Sequence, residues 1–203
     1  MYNPLHPSAS KRVTGFTLIE LMVTLSLAAI LMAIAVPNMR TFIQNNRLTA
    51  AANDLLRSFQ LARTEAIKRQ QNVVVCASAD PTAANPSCSY GQFSGWIVFQ
   101  DTNSDWQAGG GEPILERHGL IDSSIFVRID NDGIESYGSS GFANPAGAKT
   151  PTRNVVICDS RGIQLVGANS TARAFLITAT GRAHVSKDNP QVLAASAITG
   201  SCP

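Results

Sequence analysis

Glu20 is the only charged residue in an apolar run of 21 residues, 16–36. At about 1.5 Å per residue, a helix of that length spans about 32 Å, close to the hydrocarbon thickness of a bilayer. A carboxylate inside such a helix costs about 2.5–3.5 kcal/mol at the centre and usually has a partner. If the chain is cut after Gly15, the new α-amino group of Phe16 lies four residues before Glu20. The spacing predicts an amine–carboxylate pair, within one chain or between neighbours.

The segment Gly15-Phe16-Thr17-Leu18-Ile19-Glu20, followed by the unbroken apolar run, resembles the class III signal of type IV pilins and type II secretion pseudopilins. The resemblance implies that a prepilin peptidase cuts between Gly15 and Phe16 and that Phe16 is then N-methylated. It also implies that Glu20 helps to dock subunits into a helical filament. Lys11 and Arg12 favour a cytoplasmic leader, so we expect a single-pass inner-membrane protein with its head in the periplasm.

Two other interpretations of the apolar run are open. It could be an ordinary signal anchor with an accidental Gly-Phe junction, or a secretory signal peptide cut near Ala33-Ile34-Ala35. Against the signal peptide, the run exceeds the usual length of about 7–15 apolar residues and contains Glu20. A mature chain beginning at Val36 would identify this second alternative.

Beyond Val36 the pattern becomes amphipathic, with apolar residues recurring at three- and four-residue steps from Leu48 to Ala66. We expect one helix from about Phe16 to Arg69, kinked or loosened at Pro37. Short β-branched and aromatic runs follow, without helices between them. The predicted segments are a leader (1–15), a transmembrane and filament-core helix (16–36), an amphipathic helix (37–69) and a β-rich head (70–203).

The predicted fold class is therefore α+β, with one long N-terminal helix packed on an antiparallel β-sheet head. Five strands are predicted, at 72–76, 95–99, 125–129, 154–158 and 174–177. Tight turns are predicted at Asp132-Gly133 and at Ser160-Arg161-Gly162, and a disulfide-pinned loop from Pro81 to Ser89.

A narrower resemblance covers residues 15–203. The helix end 62–69, a strand ending in Cys76, the segment 95–101 and Gly181-Arg182 before a terminal cysteine are similar to the GspH/FimT/FimU family. This implies a minor pilin that helps to initiate or cap pilus assembly. It leaves two alternatives open: an H-type minor pseudopilin of type II secretion, and a pilus-associated DNA receptor. Other pilins or pseudopilins, prepilin peptidase and the inner membrane are the implied partners.

Four cysteines, Cys76, Cys88, Cys158 and Cys202, all follow the apolar run. In an oxidising compartment they are expected to form two disulfides. Three pairings are possible, and the sequence alone does not separate them. Proximity in the sequence favours Cys76–Cys88 and Cys158–Cys202.

Charge is uneven although the net is only +2: residues 70–148 carry nine acidic and two basic residues, and residues 149–203 two acidic and six basic. A basic surface of this kind is usually solvated, but it also predicts phosphate contacts to DNA. Some FimT-like pilins bind DNA through a C-terminal Gly-Arg-x-Arg loop; the matching residues here are Gly181-Arg182-Ala183-His184, with histidine at the second arginine. The candidate DNA contacts are Arg161, Arg173, Arg182, His184 and Lys187.

Asp101, Asn103, Asp105 and Glu112 occupy positions 1, 3, 5 and 12 of a calcium-loop spacing. The glycine expected at the sixth position is replaced by Trp106, and Pro113 follows where a helix would begin. The alternative is an Asx-rich hairpin connection. Calcium is the one cofactor that the sequence suggests. Because neither a nucleophile elbow nor a P-loop is present, no enzymatic function is predicted.

Overall fold

The computed structural model describes residues 15–89, 95–109, 111–119, 122, 124–129, 134–144, 153–199 and 202. These residues belong to two compact units that divide between Phe42 and Ile43. The predicted turn at Asp132-Gly133 lies outside the described residues.

The first element is helix α1, Leu18–Arg69. Thr17 caps it: the hydroxyl of Thr17 accepts the N–H of Glu20 at 3.2 Å, and its carbonyl accepts the N–H of Leu21 at 3.1 Å. The helix therefore begins two residues after the predicted start at Phe16. It continues through Pro37, so the proline does not end it.

Ten strands and a second helix follow α1. They are β1 Asn72–Ser78, β2 Gly95–Asp101, β3 Ile114–His118, β4 Ile125–Ile129, β5 Ile134–Tyr137, β6 Ala143–Asn144, β7 Arg153–Asp159, β8 Leu165–Val166, β9 Asn169–Ile177, β10 Ala183–Asp188 and helix α2 Asn189–Thr199. The five predicted strands correspond to β1, β2, β4, β7 and β9, so the predicted α+β class with antiparallel strands is confirmed.

The strands form two antiparallel sheets. In the first, the order is β3-β2-β1-β5-β6, and in the second it is β10-β9-β7-β4, with β8 paired to β9. Register is set by pairs such as Val74↔Phe99 in the first sheet and Val155↔Phe175 in the second. The order along each sheet is not the order along the chain, since β1 pairs with β5 and β4 with β7.

The main core lies where the second half of α1 meets both sheets. The apolar stripe predicted on α1 is buried, together with Ser58. Phe59 packs edge-on against Phe175 of β9 at 6.1 Å between ring centroids, and the Trp96 indole donates a 2.8 Å hydrogen bond to Ser58 Oγ. These contacts fix one helix face against both sheets.

The outer faces of both sheets are covered as well, which explains why the strands are apolar at successive positions. Val74, Cys76, Ile97 and Phe99 form a cluster with Trp106 and Cys88 from the connecting loops. On the second sheet, Val156, Cys158, Ala172 and Ala174 pack against Val192 and Ala195 of α2.

Helix α2 corrects the predicted head, in which no helix was expected after residue 69. Asn189 followed by Pro190 is a typical helix start, because proline lacks the N–H that the first turn leaves unpaired. The alanine-rich run that follows has high helix propensity.

Both preferred disulfides are present in the structure: Cys158–Cys202 ties the chain beyond α2 to β7, and Cys76–Cys88 pins the loop after β1. The predicted turn at Gly162 is also present, with φ of 66° and its N–H bonded to Asp159 O.

Candidate functional site

The predicted processing site lies just before α1. Gly15, Phe16 and Thr17 are non-helical and exposed. A Cβ added to Gly15 would meet no atom within 4 Å, so the fold of this chain does not require glycine there. Glu20 lies in the first turn of α1, and its side chain is exposed too.

The described part of the first compact unit exposes a long apolar surface. Every described residue up to Phe42 is exposed, including large side chains such as Leu25, Ile30 and Met32. By length and composition, α1 contains a segment able to cross a membrane. Exposed apolar area of this extent marks a surface that lipid or other protein chains cover.

The predicted DNA-binding motif forms the tight turn between β9 and β10. The N–H of Gly181 bonds to Thr178 O at 2.8 Å, and the N–H of Thr178 bonds to Arg182 O at 3.0 Å. Gly181 has φ of 78°, and a Cβ there would lie 2.3 Å from Gly141 O. Glycine is needed at this turn because both the backbone conformation and the close approach exclude a side chain.

Arg182 and His184 line a cleft of about 260 Å³ together with Phe59, Gln60, Arg63, Tyr137, Gly181 and Ala183. Arg63 of α1 therefore joins the predicted basic residues, and its Nε donates to Gly141 O at 3.0 Å. Arg63 was not predicted as a site residue, because nothing in the local sequence relates it to a turn more than a hundred residues later. Arg182, His184 and Lys187 are exposed.

Arg161 and Arg173 have internal partners instead. Arg161 forms an ion pair with Asp159 and donates a hydrogen bond to Asn45 of α1 at 2.9 Å. Arg173 donates to three carbonyls of its own strand, Ser170 to Ala172, and burial, with the neighbouring charge of Arg161, lowers its pKa. Thr171 donates to Gly162 O, so the turn that carries Arg161 lies beside Thr171 of β9. Ile177, at the other end of β9 next to the β9–β10 turn, is roughly 20 Å away at about 3.3 Å per residue. The five candidate DNA contacts thus do not form one patch.

The predicted calcium residues lie in the loop between β2 and β3. One carboxylate oxygen each from Asp101, Asp105 and Glu112 lie within 4.8 Å of one another. Asn103 supports Asp105: its Oδ1 accepts the Asp105 N–H at 3.1 Å, and its Nδ2 donates to the Asp105 carboxylate at 2.8 Å. The loop is therefore also an Asx-turn connection, as the alternative proposed.

Comparison with known proteins gives two family matches and two similar structures. Residues 51–187 match the family described as type II transport protein GspH, and residues 10–36 match the prokaryotic N-terminal methylation motif. The fold is similar to a crystal structure of the type IV minor pilin FimU of Pseudomonas aeruginosa strain PAO1, with a TM-score of 0.52 and 18% sequence identity. The aligned region covers 74% of this chain and 98% of the FimU chain. A second FimU crystal form gives 17% identity, 71% and 99% coverage and a TM-score of 0.49. No match was found among the curated proteins compared.

Proposed function

Because the chain belongs to the GspH family of type IV pilin-like proteins, we propose that it is a minor subunit of a type IV pilus. The family consists of structural subunits that assemble with other pilins or pseudopilins. The observation that carries the proposal is the fully exposed apolar run 16–36, in which Glu20 is the only charge. Such a surface is stable only when lipid or neighbouring helices cover it.

In the proposed sequence of events, the chain is inserted in the inner membrane with its head in the periplasm. Prepilin peptidase cuts the exposed bond between Gly15 and Phe16, and Phe16 is N-methylated. The apolar helix then moves from lipid to the filament, where Glu20 pairs with the N-terminal amine of a neighbour. As a minor subunit, the protein helps to initiate or cap the filament. The fold shared with the FimU structure is consistent with this role.

The proposal is tested by recovering sheared pili from cells that carry an epitope-tagged chain. We expect the tagged subunit in the filament fraction at low abundance, and fewer filaments when its gene is deleted. Unchanged piliation in the deletion strain, with the subunit confined to the membrane fraction, would contradict the assignment to a pilus.

The alternative is an H-type minor pseudopilin in a type II secretion system, which the match to the type II transport protein GspH family supports. This subunit would have the same fold and N-terminal chemistry but would serve protein export. Neighbouring genes separate the two: other minor-pilin genes favour the pilus, and secretion-channel genes favour export. Loss of secreted enzymes without loss of pili would establish the alternative.

A DNA-receptor role is supported by one further observation, the exposed Arg182 and His184 at a cleft that also contains Arg63. We predict that Arg182→Ala weakens binding of double-stranded DNA and makes the dependence of log affinity on log salt shallower by up to about one unit. The measurement is fluorescence anisotropy of labelled DNA with the full-length chain in non-ionic detergent, across a salt series.

Arg57→Ala is the matched control for this prediction. It removes the same charge from an exposed side chain, which lies 3.9 Å from Glu116 of β3 rather than at the β9–β10 turn. Equal losses in both variants would mean that only net charge matters, and absence of binding at low salt would eliminate the DNA role.

A further inference from the structure

The β2–β3 hairpin brings three acidic side chains together at its loop end. Phe99 pairs with Ile114, and the N–H of Gln100 bonds to Pro113 O at 3.0 Å, so Asp101 at the end of β2 lies near Glu112, just before β3. The N–H of Thr102 donates to Glu112 Oε1 at 2.8 Å. The loop then returns Asp105 to the same place.

Several other carboxylates in the head have basic partners. Asp159 pairs with Arg161, Glu65 with Arg69, and Asp122 with Arg47. Within the described ranges, no lysine, arginine or histidine forms an ion pair with Asp101, Asp105 or Glu112. Three negative charges therefore lie close together, and no cation of the described residues neutralises them.

A second observation points to a missing ligand. The side chain of Asp101 is almost wholly buried, with 1% of the residue exposed. Its Oδ1 accepts the Ser104 N–H at 2.7 Å, but its buried Oδ2 forms no hydrogen bond with any described residue. Glu112 is similar, since Oε1 has a donor and the buried Oε2 has none. Burying unpaired carboxylate oxygens is costly, so a cation or another donor is expected there.

The electrostatics of Asp101 agree with this geometry. Burial raises the pKa of its carboxyl group, the backbone N–H groups of Ser104 and Trp106 oppose that shift, and the nearby charges of Glu112 and Asp105 raise it further. A divalent cation would remove both the burial penalty and the repulsion.

We propose that Asp101, Asp105 and Glu112 bind one calcium ion. All three donors are carboxylate oxygens, the hard ligands that Ca²⁺ prefers, and the four cysteines, the softer ligands of zinc, are held in disulfides. Trp106, at the position where a calcium loop has glycine, adopts the left-handed backbone with φ of 63°. The chain therefore makes the sharp turn without glycine.

The ion would hold the loop over the outer face of the first sheet. Trp106 and Ala108 pack there against the cluster that contains Cys76, beside its disulfide to Cys88. Dissociation constants of extracellular calcium modules are about 10⁻⁴–10⁻³ M. With calcium at about ten times such a constant, the unfolding equilibrium shifts by about tenfold towards the native state.

The test uses terbium, which replaces calcium and luminesces when a nearby tryptophan is excited. We expect the full-length chain in detergent to show saturable terbium luminescence from Trp106, displaced by Ca²⁺ with one site per chain. Asp101→Asn and Glu112→Gln are each expected to weaken Ca²⁺ binding by about tenfold or more, because ligand charge sets the affinity of such sites. Asp188→Asn, an exposed acid at the end of β10, is the control and should bind normally.

Thermal unfolding distinguishes a carboxylate that binds calcium from one that only stabilises the fold. Calcium should raise the midpoint of the wild-type chain by about 3–5 °C over a chelator. In chelator, Asp101→Asn should be at least as stable as the wild type, because the substitution relieves repulsion. A lower midpoint for this variant both with calcium and in chelator would overturn the proposal. So would the absence of saturable binding up to about 10 mM calcium, which is well above the range of extracellular modules. Equal weakening by Asp188→Asn would also overturn it.

Discussion

Replacing Glu20 with alanine should leave the chain in the membrane but remove it from filaments. Glu20 is the only charge in residues 16–36, so Glu20→Ala makes insertion into lipid easier. In the filament, the α-amino group of Phe16 would then have no carboxylate partner. An unpaired ammonium group among apolar helices is costly, because burial disfavours its charge. We expect incorporation to fall by about tenfold or more, since each 1.4 kcal/mol of lost pairing is a factor of ten.

The measurement is quantitative immunoblotting of sheared filaments and membranes from the same cells. Glu20→Gln should behave like Glu20→Ala, because it keeps the size of the side chain but not the charge. Ser26→Ala is the matched control: Ser26 is a polar residue of the same segment whose hydroxyl only bonds to Val23 O at 2.8 Å. Normal incorporation of Glu20→Gln would show that the charge of Glu20 is not needed.

Removing the Cys158–Cys202 disulfide should destabilise the head more than removing Cys76–Cys88. The first bridge closes a loop of 44 residues and the second a loop of 12. In the chain-entropy description these correspond to about 4 and about 3 kcal/mol. The Cys158→Ala/Cys202→Ala variant should also loosen α2, because an isolated helix of 11 residues is marginal in water.

Guanidinium unfolding of the full-length chain in detergent, followed by tryptophan fluorescence, measures both variants. Hydrogen exchange of α2 amides provides the local readout. The Cys76→Ala/Cys88→Ala variant is the matched control, since Cys76 and Cys158 are both fully buried. If the shorter loop proves as costly as the longer one, or α2 amides exchange no faster in Cys158→Ala/Cys202→Ala, the role assigned to the second bridge is wrong.

Much of the fold could be predicted because its signals are local. The stripe on α1 recurs at helical spacing, and strands such as β1 and β2 are continuous apolar runs because both of their faces are covered. The division into two sheets could not be predicted, since pairing of β1 with β5 joins segments that are distant in sequence. The weak elements were missed for local reasons: β6 and β8 have two residues each, and β10 contains histidine, lysine and aspartate.

For the candidate sites too, residues close in sequence could be related to one another, and residues distant in sequence could not. The spacing of Asp101, Asp105 and Glu112 identified a loop whose ends meet in a hairpin, so a local pattern was sufficient. Composition alone grouped Arg161 and Arg173 with Arg182, whereas in the structure the first two have internal partners. Arg63 was missed because the contact between its helix and the β9–β10 turn is a property of tertiary packing.

The most direct test of the filament-subunit proposal is the mass of the mature N-terminus, measured by mass spectrometry on the chain recovered from membranes of its native host. We expect a chain that begins at Phe16 and carries one added methyl group on its amine. Deleting the host's prepilin peptidase should leave the full leader in place. A mature chain beginning at Val36 would instead identify a secretory signal peptide, and an uncut chain in cells with active peptidase would leave Glu20 without the amine on which assembly depends.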